Sequence, residues 1–511
     1  LCIWGAKKIA KQVGKSKRVK EFDIGSLVGG MDVATDPWLL HSKENRAQVI
    51  ENMEFDSEGE RLISRRGLGS PIYTFPADIL YIWYDYGLNN YLIFLKNKSV
   101  YTYEFGKIPT FIGTINGDVT HKPQLARFTN SNGTKLLIAS GSTLQSYEYS
   151  GTSINTSDKY PVCDTVMERF SRLLVTHSST NNIKYSGVLD PTNWTENSND
   201  PSAMKDLDVG DVSAVTGIYP LASELIAFKA NGRIYKIANE PENWNVTLVG
   251  TDSDFISRDA MTNLGEDVVY FSRQGLRSLQ TTETYGNFKT QEIGEAMNPE
   301  MKKDTGSPWL FKSQRTHQLF INPNNGPIVY VYHYQLGAFT KWIFPSPIQT
   351  IAEGKEETLV GCGKELFELS FSNHTDVVSG KETKIHQKIV SAILGDLNIM
   401  TLYRSHLIID SDDAGTAKLT VNDVSWDWNW TKEKQKEEFK TQIRADEMTF
   451  TFETDDIIAW HLWAAIIVQQ YVAMTSEGTS SGGGGGWSHG SKWGQGTFDG
   501  VVSNSEGSPY G

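Results

Sequence analysis

The stretch ELIAFKANGRIYKI, from Glu224 to Ile237, decides the fold. Leu225, Ile226, Ala227 and Phe228 make a short apolar strand, Asn231–Gly232 offers a turn, and Ile234, Tyr235 and Ile237 carry the return strand. Asn and Gly tolerate the positive φ of tight hairpin turns, so the segment predicts a β-hairpin. The same pattern recurs at YLIFLKNKSVYTYEF (91–105), KLLIASGSTLQSYEY (135–149), RLLVTHSSTNNIKYS (172–186), DVVYFSRQGLRSLQT (267–281), QLFINPNNGPIVYVYHY (318–334) and TLVGCGKELFELS (358–370). Copies follow one another at about 40–50 residues, the length of a four-stranded propeller blade. One hairpin buries too little apolar surface to stand alone, so the copies must stack on one another. A β-sandwich, or a pair of them, would also use such hairpins. The repeat period favours a divergent β-propeller over residues 70–375.

Composition agrees with a mainly β chain. Its 511 residues leave room for more than one domain, and 14 Trp, 21 Tyr and 45 Gly suit strands joined by turns. A net charge of −13 repels nucleic acid wherever positive charge is not gathered locally. Cys2, Cys163 and Cys362 match no CxxC spacing and make no disulfide framework, which points to a packed core and a reducing site of assembly. The most apolar run, Ile457–Val472, contains His461 and falls short of the ~20 residues of a membrane helix. It reads as a buried strand or core helix, and no stable membrane insertion is expected. The first residues, LCIWGAKKIAKQ, carry their basic residues after the apolar patch, unlike a secretory leader.

Four further segments flank the repeats. Residues 1–29 form a basic arm, with Lys7, Lys8, Lys11, Lys15, Lys17, Arg18 and Lys20 and no acid between positions 6 and 20. Such an arm reaches a phosphate backbone or an acidic neighbour, or is simply a solvated terminus. Residues 30–69 are a lead-in hairpin expected to feed the first blade, turning at Asp56-Ser57-Glu58-Gly59, with Arg65 and Arg66 expected to form surface salt bridges. Residues 376–475 read as an additional C-terminal β-sandwich-like domain, in which the mixed-charge Lys432–Lys440 is a connection between strands. Residues 476–511 are a Gly/Trp-rich low-complexity tail. Gly482–Gly486 cannot hold a fold alone, while Trp487, Trp493 and Phe498 are expected to fill pockets of another subunit. Within the repeats, Asp190–Asp211 is polar and broken by Pro191 and Pro201, and reads as a loop.

A search for chemistry finds little. The ten histidines form no HExxH or HxH and pair with no cysteine at ligand spacing, and no GxSxG elbow occurs. Asp412–Asp413 and Asp455–Asp456 read as solvated turns. Ser411–Thr416 is similar to a truncated Asp-box of sialidase propellers, a structural turn in that family. No catalytic, cofactor-binding or metal-binding residue is assigned, and an enzyme is not expected.

The order of four motifs resembles a family. Asn52, Met53, Gly59, Arg65, Arg66 and Gly67 come first, followed by Tyr185, Ser186, Pro191 and Trp194. Next are Leu225, Phe228, Lys229, Ile234 and Tyr235, and then Tyr270, Phe271, Ser272 and Gly275. Residues 30–290 thereby resemble the β-propeller nozzle, or packaged-DNA stabilisation, proteins of short-tailed bacteriophages; residues 300–475 do so loosely. The resemblance implies a virion protein of the tail, assembled in the host bacterial cytoplasm without a cofactor. It implies a homo-oligomer, a hexameric ring below the portal and adaptor with tail fibres or a tail tip as neighbours. The ring would retain the packaged double-stranded DNA and form the channel for its ejection, its net-acidic wall letting DNA slide with little sticking. The alternative is a carbohydrate-binding propeller for host-surface attachment, with Trp426, Trp428 and Trp430 of SWDWNW stacking sugars. Alternation puts those three on one strand face, which serves a core or an interface equally well.

Overall fold

Each of the seven hairpins is the second and third strand of a four-stranded antiparallel meander. In the computed structural model, residues 17–470 are described except 26, 41–44, 149–151, 196–202, 208–209, 222–223, 252–256, 266, 282–287, 304, 412 and 432–434. The meanders are the blades of a propeller: 79–114, 124–156, 165–206, 215–251, 261–292, 309–343 and 350–368, here blades one to seven. Blade three draws its fourth strand, Ala203–Asp206, from the stretch read as a loop, because its backbone pairs with Asn182–Tyr185. Blade seven takes its fourth strand from Tyr73–Thr74, upstream of blade one, through Leu366↔Tyr73 and Glu365↔Thr74. The ring is therefore closed by chain from before its own first blade.

Stacking explains why every second strand is apolar on both faces. Leu92 and Phe94 of blade one pack with Leu136 and Ile138 of blade two, while Tyr91, Ile93 and Leu95 meet Leu359 and Leu366 of blade seven. The same sharing continues through Phe128 with Leu173, Leu174 with Leu225, Phe228 with Tyr270, Phe271 with Leu319, and Phe320 with Val360. A strand sandwiched between neighbours has no solvent side, so it reads as a continuous apolar run rather than an alternating one. At the Glu224–Ile237 hairpin, Gly232 alone of the Asn231–Gly232 pair takes positive φ, at 81°. The Asn231 side chain accepts from the Arg233 N–H at 3.2 Å and donates to Asp211 Oδ2 at 2.9 Å.

The remaining strands used below are β1 (Lys17–Asp23), β2 (Val49–Glu51), β3 (Met53–Phe55) and β4 (Leu62–Ser64) before the blades. After them come β5 (Gln387–Val390), β6 (Leu394–Asp410), β7 (Gly415–Val421), β8 (Val424–Trp430), β9 (Gln435–Met448), β10 (Phe450–Thr454) and β11 (Ala459–Gln470). They add a two-sheet, sandwich-like part that lies in one compact unit with the propeller. Blade six continues outward through β2, β5, β10, β7 and β8 into one nine-stranded sheet. A second sheet runs β9-β6-β11-β4-β3, with β1 also paired to β11. Met53, Phe55, Leu62, Leu402, Leu419, Trp428, Phe450, Phe452 and Ile458 share a buried cluster that also reaches blades five and six. The charged stretch read as a connection is strand from Gln435 onward, since its backbone pairs with β6 from Ile409↔Gln435 to Leu394↔Met448.

The lead-in hairpin does not feed blade one. It wedges between blade six and the second sheet, and two buried arginines hold it there. Arg65 and Arg66 are 2% and 3% exposed, which corrects the surface assignment. Arg65 Nη2 pairs with Asp376 Oδ2 at 2.5 Å, and its other donors reach Asn52 Oδ1, the Arg66 carbonyl and the Ile343 carbonyl. Asp376 also accepts from the Leu68 N–H at 3.0 Å. Arg66 pairs with Glu54 at 3.3 Å and donates to Gln318 Oε1 at 2.6 Å. A guanidinium with five fixed donors can satisfy this many acceptors from separate elements, which a lysine cannot. Asn52 sits at φ 56°, a conformation Asn tolerates, and its amide links the His386 carbonyl to the Ile343 N–H. At Gly67 an added Cβ would lie 2.4 Å from the Asn373 carbonyl oxygen. Replacing Arg65 by Met leaves the Asp376 carboxylate buried without its partner. The expected loss is about 3–5 kcal/mol of unfolding free energy, read by urea denaturation.

Candidate functional site

Four antiparallel strands per blade bring two kinds of connection to one end of the propeller: the loop leading into each first strand and the turn between second and third. Acids recur in those loops, and three of them tie to the hairpin turn of their own blade. Asp78 pairs with Lys96 at 3.4 Å, Asp164 accepts from the Ser178 N–H, and Asp211 accepts from Asn231. In blade seven the part is taken by Gln349, which accepts from the Gly363 N–H at 2.7 Å. The ties are local geometry with a sequence trace, an Asp or Gln shortly before each such first strand.

The tie in blade four is also an ion pair. Lys229 is wholly buried, 3.1 Å from Asp211 Oδ2, and donates to Asn181 Oδ1 at 2.7 Å. Burial acts to raise the Asp211 carboxyl, but the Ser213 N–H, Asn231 and Lys229 outweigh it and hold the group down at about 2.

Nearer the axis, side chains from several blades converge. Lys122, in the loop into blade two, stands 4.5 Å from the centre of the Trp309 ring of blade six and 5.7 Å from that of Tyr81 of blade one. The backbone N–H of Lys122 donates to Asp259 Oδ2 at 3.1 Å, and His121 Nδ1 lies 3.6 Å from the same oxygen. Hydrogen bonding to Asp259 raises the His121 imidazole above its usual value. Arg258, 7% exposed, donates to the Asp164 carbonyl at 2.9 Å, and its own carbonyl accepts from the Tyr219 hydroxyl at 2.8 Å. Burial pushes the phenols of Tyr81 and Tyr219 upward, with Asp259 adding to both. Two recesses open here, of about 140 Å³ beside Lys122 and Trp309 and about 330 Å³ beside Asp164 and Arg258. No spacing in the sequence announces this cluster, because its members come from separate blades.

The residues singled out from sequence lie elsewhere. Lys17, Arg18 and Lys20 are on β1, paired with Gln470, Gln469 and Ile467. Lys7, Lys8, Lys11, Lys15, Trp487, Trp493 and Phe498 lie outside the described residues. Trp428 and Trp430 are 4% and 2% exposed, so those rings fill core, and Trp430 Nε1 donates to the Asp413 carbonyl at 2.9 Å. Asp455 faces His386 Nδ1 at 2.7 Å, and Asp456 accepts from the Thr416 N–H at 2.7 Å. Among the described residues, no three His, Cys, Asp or Glu side chains gather closely enough to hold a metal ion.

No protein-family model and no curated protein sequence matches the chain. Among solved structures it is similar to two β-propeller domains and one extracellular domain. The WD40 propeller domain of Doa1 aligns with 59% of this chain and 95% of its own, at 11% identity and a TM-score of 0.37. The Cps50 (Swd1) propeller domain of Myceliophteria thermophila aligns with 59% and 99%, at 9% identity and 0.41. The extracellular domain of the one-component system BT4673 of B. thetaiotaomicron aligns with 83% and 63%, at 9% identity and 0.43.

Because the Asp211 carboxyl is depressed on folding, its contribution is complete above the ordinary value of 3.8 and is lost as pH falls toward about 2. Asp211→Asn is expected to flatten the acid limb of a stability–pH curve in that window. It should also cost about 3–5 kcal/mol at neutral pH by leaving Lys229 buried without its countercharge, both read from urea midpoints.

Proposed function

We propose that this protein is a structural component of the tail of a short-tailed bacteriophage. Copies form a ring, a nozzle below the portal and adaptor, which retains packaged double-stranded DNA and gives it a channel for ejection. The observation that carries the ring is the edge structure of the second sheet. Among the described residues, β9 pairs only with β6, and β1 pairs only with β11. The sheet therefore ends at β9 on one flank and at β1 and β3 on the other, unlike edges with rows of backbone donors and acceptors. Unlike edges join head to tail, and such heterologous contacts close into a ring when the rotation per copy divides the circle.

Strand length supports the same reading. β6 has 17 residues, about 55 Å of extended chain, where strands of globular domains rarely exceed about 10 residues. β11 is apolar at most positions of both alternate sets in its sequence, AWHLWAAIIVQQ. The motif residues behind the phage resemblance, Asn52, Met53, Arg65, Arg66 and Gly67, meet at one junction that fixes this sheet to the propeller. The basic arm continues from β1 and is proposed to meet phosphate or an acidic neighbour. The sugar-binding alternative rested on three tryptophans, of which Trp428 and Trp430 are buried.

Mass photometry of the purified chain, alone and mixed with virion neck components, tests the proposal. A particle near six times 57.1 kDa, formed alone or only on the neck, is the expected result. A 57.1 kDa monomer in both conditions would overturn it.

A further inference from the structure

We propose that the axial recess beside Lys122 is a binding site for a small hydroxy-monocarboxylate. The recess is about 140 Å³, close to a cavity that accommodates one benzene-sized molecule, and Leu80, Pro308 and Trp309 give it an apolar wall. Lys122 supplies the charge. Its ammonium stands against two aromatic faces, 4.5 and 5.7 Å from their centres, and has no hydrogen-bond or ion-pair partner among the described residues. An ammonium carries three donors, and ring faces attract its charge without accepting those hydrogens as an oxygen would. A carboxylate oxygen completes it.

Two further observations narrow the ligand. Lys96 is paired with Asp78 at 3.4 Å, whereas the Lys122 ammonium makes no ion pair, Asp259 meeting its backbone N–H at 3.1 Å and His121 at 3.6 Å. One cation without a contact partner suits a monoanion, whereas a dianion such as phosphate would meet the nearby Asp259 carboxylate with charge to spare. Asn325 also lines the recess, and its Oδ1 is buried without a hydrogen-bond partner. A buried acceptor left unpaired is costly, and a ligand hydroxyl is the donor it lacks. Thr120, Ser257 and Ser307 add hydroxyls to the same wall. A carboxylate at Lys122 and a hydroxyl at Asn325 describe a short hydroxy acid.

Titration gives an independent handle. Burial brings the Lys122 ammonium down to about 8, with Asp259 acting against it. The ionisable groups facing it are His121 and Asp259, with Arg258, Asp118 and Lys96 around them. The neighbouring phenols Tyr81 and Tyr219 are pushed up and stay neutral through this range. Binding should therefore hold below pH 8 and fade above it.

The test is calorimetric titration of the full chain with lactate, propionate and inorganic phosphate. Lactate is expected to bind most tightly, with propionate weaker by several fold for want of the hydroxyl. Lys122→Met should weaken lactate by about tenfold or more, while Lys107→Met, at the surface beside Glu104 and outside the recess, leaves it unchanged. On the unaltered protein, raising the pH from about 7 to about 9.5 should weaken lactate by tenfold or more, an arm that stands even if Lys122→Met fails to fold. No lactate binding at about 10 mM, equal binding by Lys122→Met, tighter binding of phosphate than of lactate, or an affinity indifferent to pH would each overturn the proposal.

Discussion

The architecture depends on a pair of buried guanidinium groups. Arg65 and Arg66 sit where the end of blade six, the lead-in hairpin and the segment after blade seven all meet. Each neutralises a carboxylate from a different element, Asp376 from after the propeller and Glu54 from before it. Buried charges are tolerated only when paired and fully hydrogen-bonded, and here the pairing joins residues 311 positions apart in sequence. The aromatic rings of Phe344 and Trp342 lie against the two guanidinium groups, at 4.4 and 5.6 Å. Because the same segment goes on to supply Tyr73–Thr74 to blade seven, one junction governs both the attachment of the second sheet and the closure of the ring.

The propeller itself obeys a simpler constraint. Each blade buries both faces of its second strand against its neighbours, so none is complete until the ring is. The polar ties at one end, through Asp164, Asp211 and Gln349, fix the loops into blades three, four and seven against the hairpins of those blades. That end is where loops of separate blades come close enough for Lys122, Trp309, Tyr81 and Asp259 to meet.

The propeller was largely legible in the sequence because its hairpins are local and repeat: all seven copies read from residue 91 to 370 are second and third strands of blades. What was not legible is non-local. Arg65–Arg66 looks like a surface pair because nothing near it in sequence reveals Asp376 or the Ile343 carbonyl. The lead-in hairpin looks like the start of blade one because the strand it pairs with lies about 400 residues downstream, at Ala459 and Trp460. The charged run beginning at Gln435 hides a strand, since its partner β6, not its own pattern, makes it one. SWDWNW showed by its alternation that three tryptophans share a face, but only packing tells that Trp428 and Trp430 face core. The axial cluster was invisible for the same reason, its residues being scattered from 81 to 309.

Native-state hydrogen exchange tests the central claim, that the junction makes the propeller and the second sheet one cooperative unit. The amides of Arg65, Arg66 and Leu68, bonded to the Asn52 carbonyl, Glu54 and Asp376, report on the junction. Phe320 in blade six and Phe452 in β10 report on the two bodies it joins. One free energy of opening is expected for all five. Exchange at Phe452 through a lower-energy opening, while Phe320 stays protected, would contradict it.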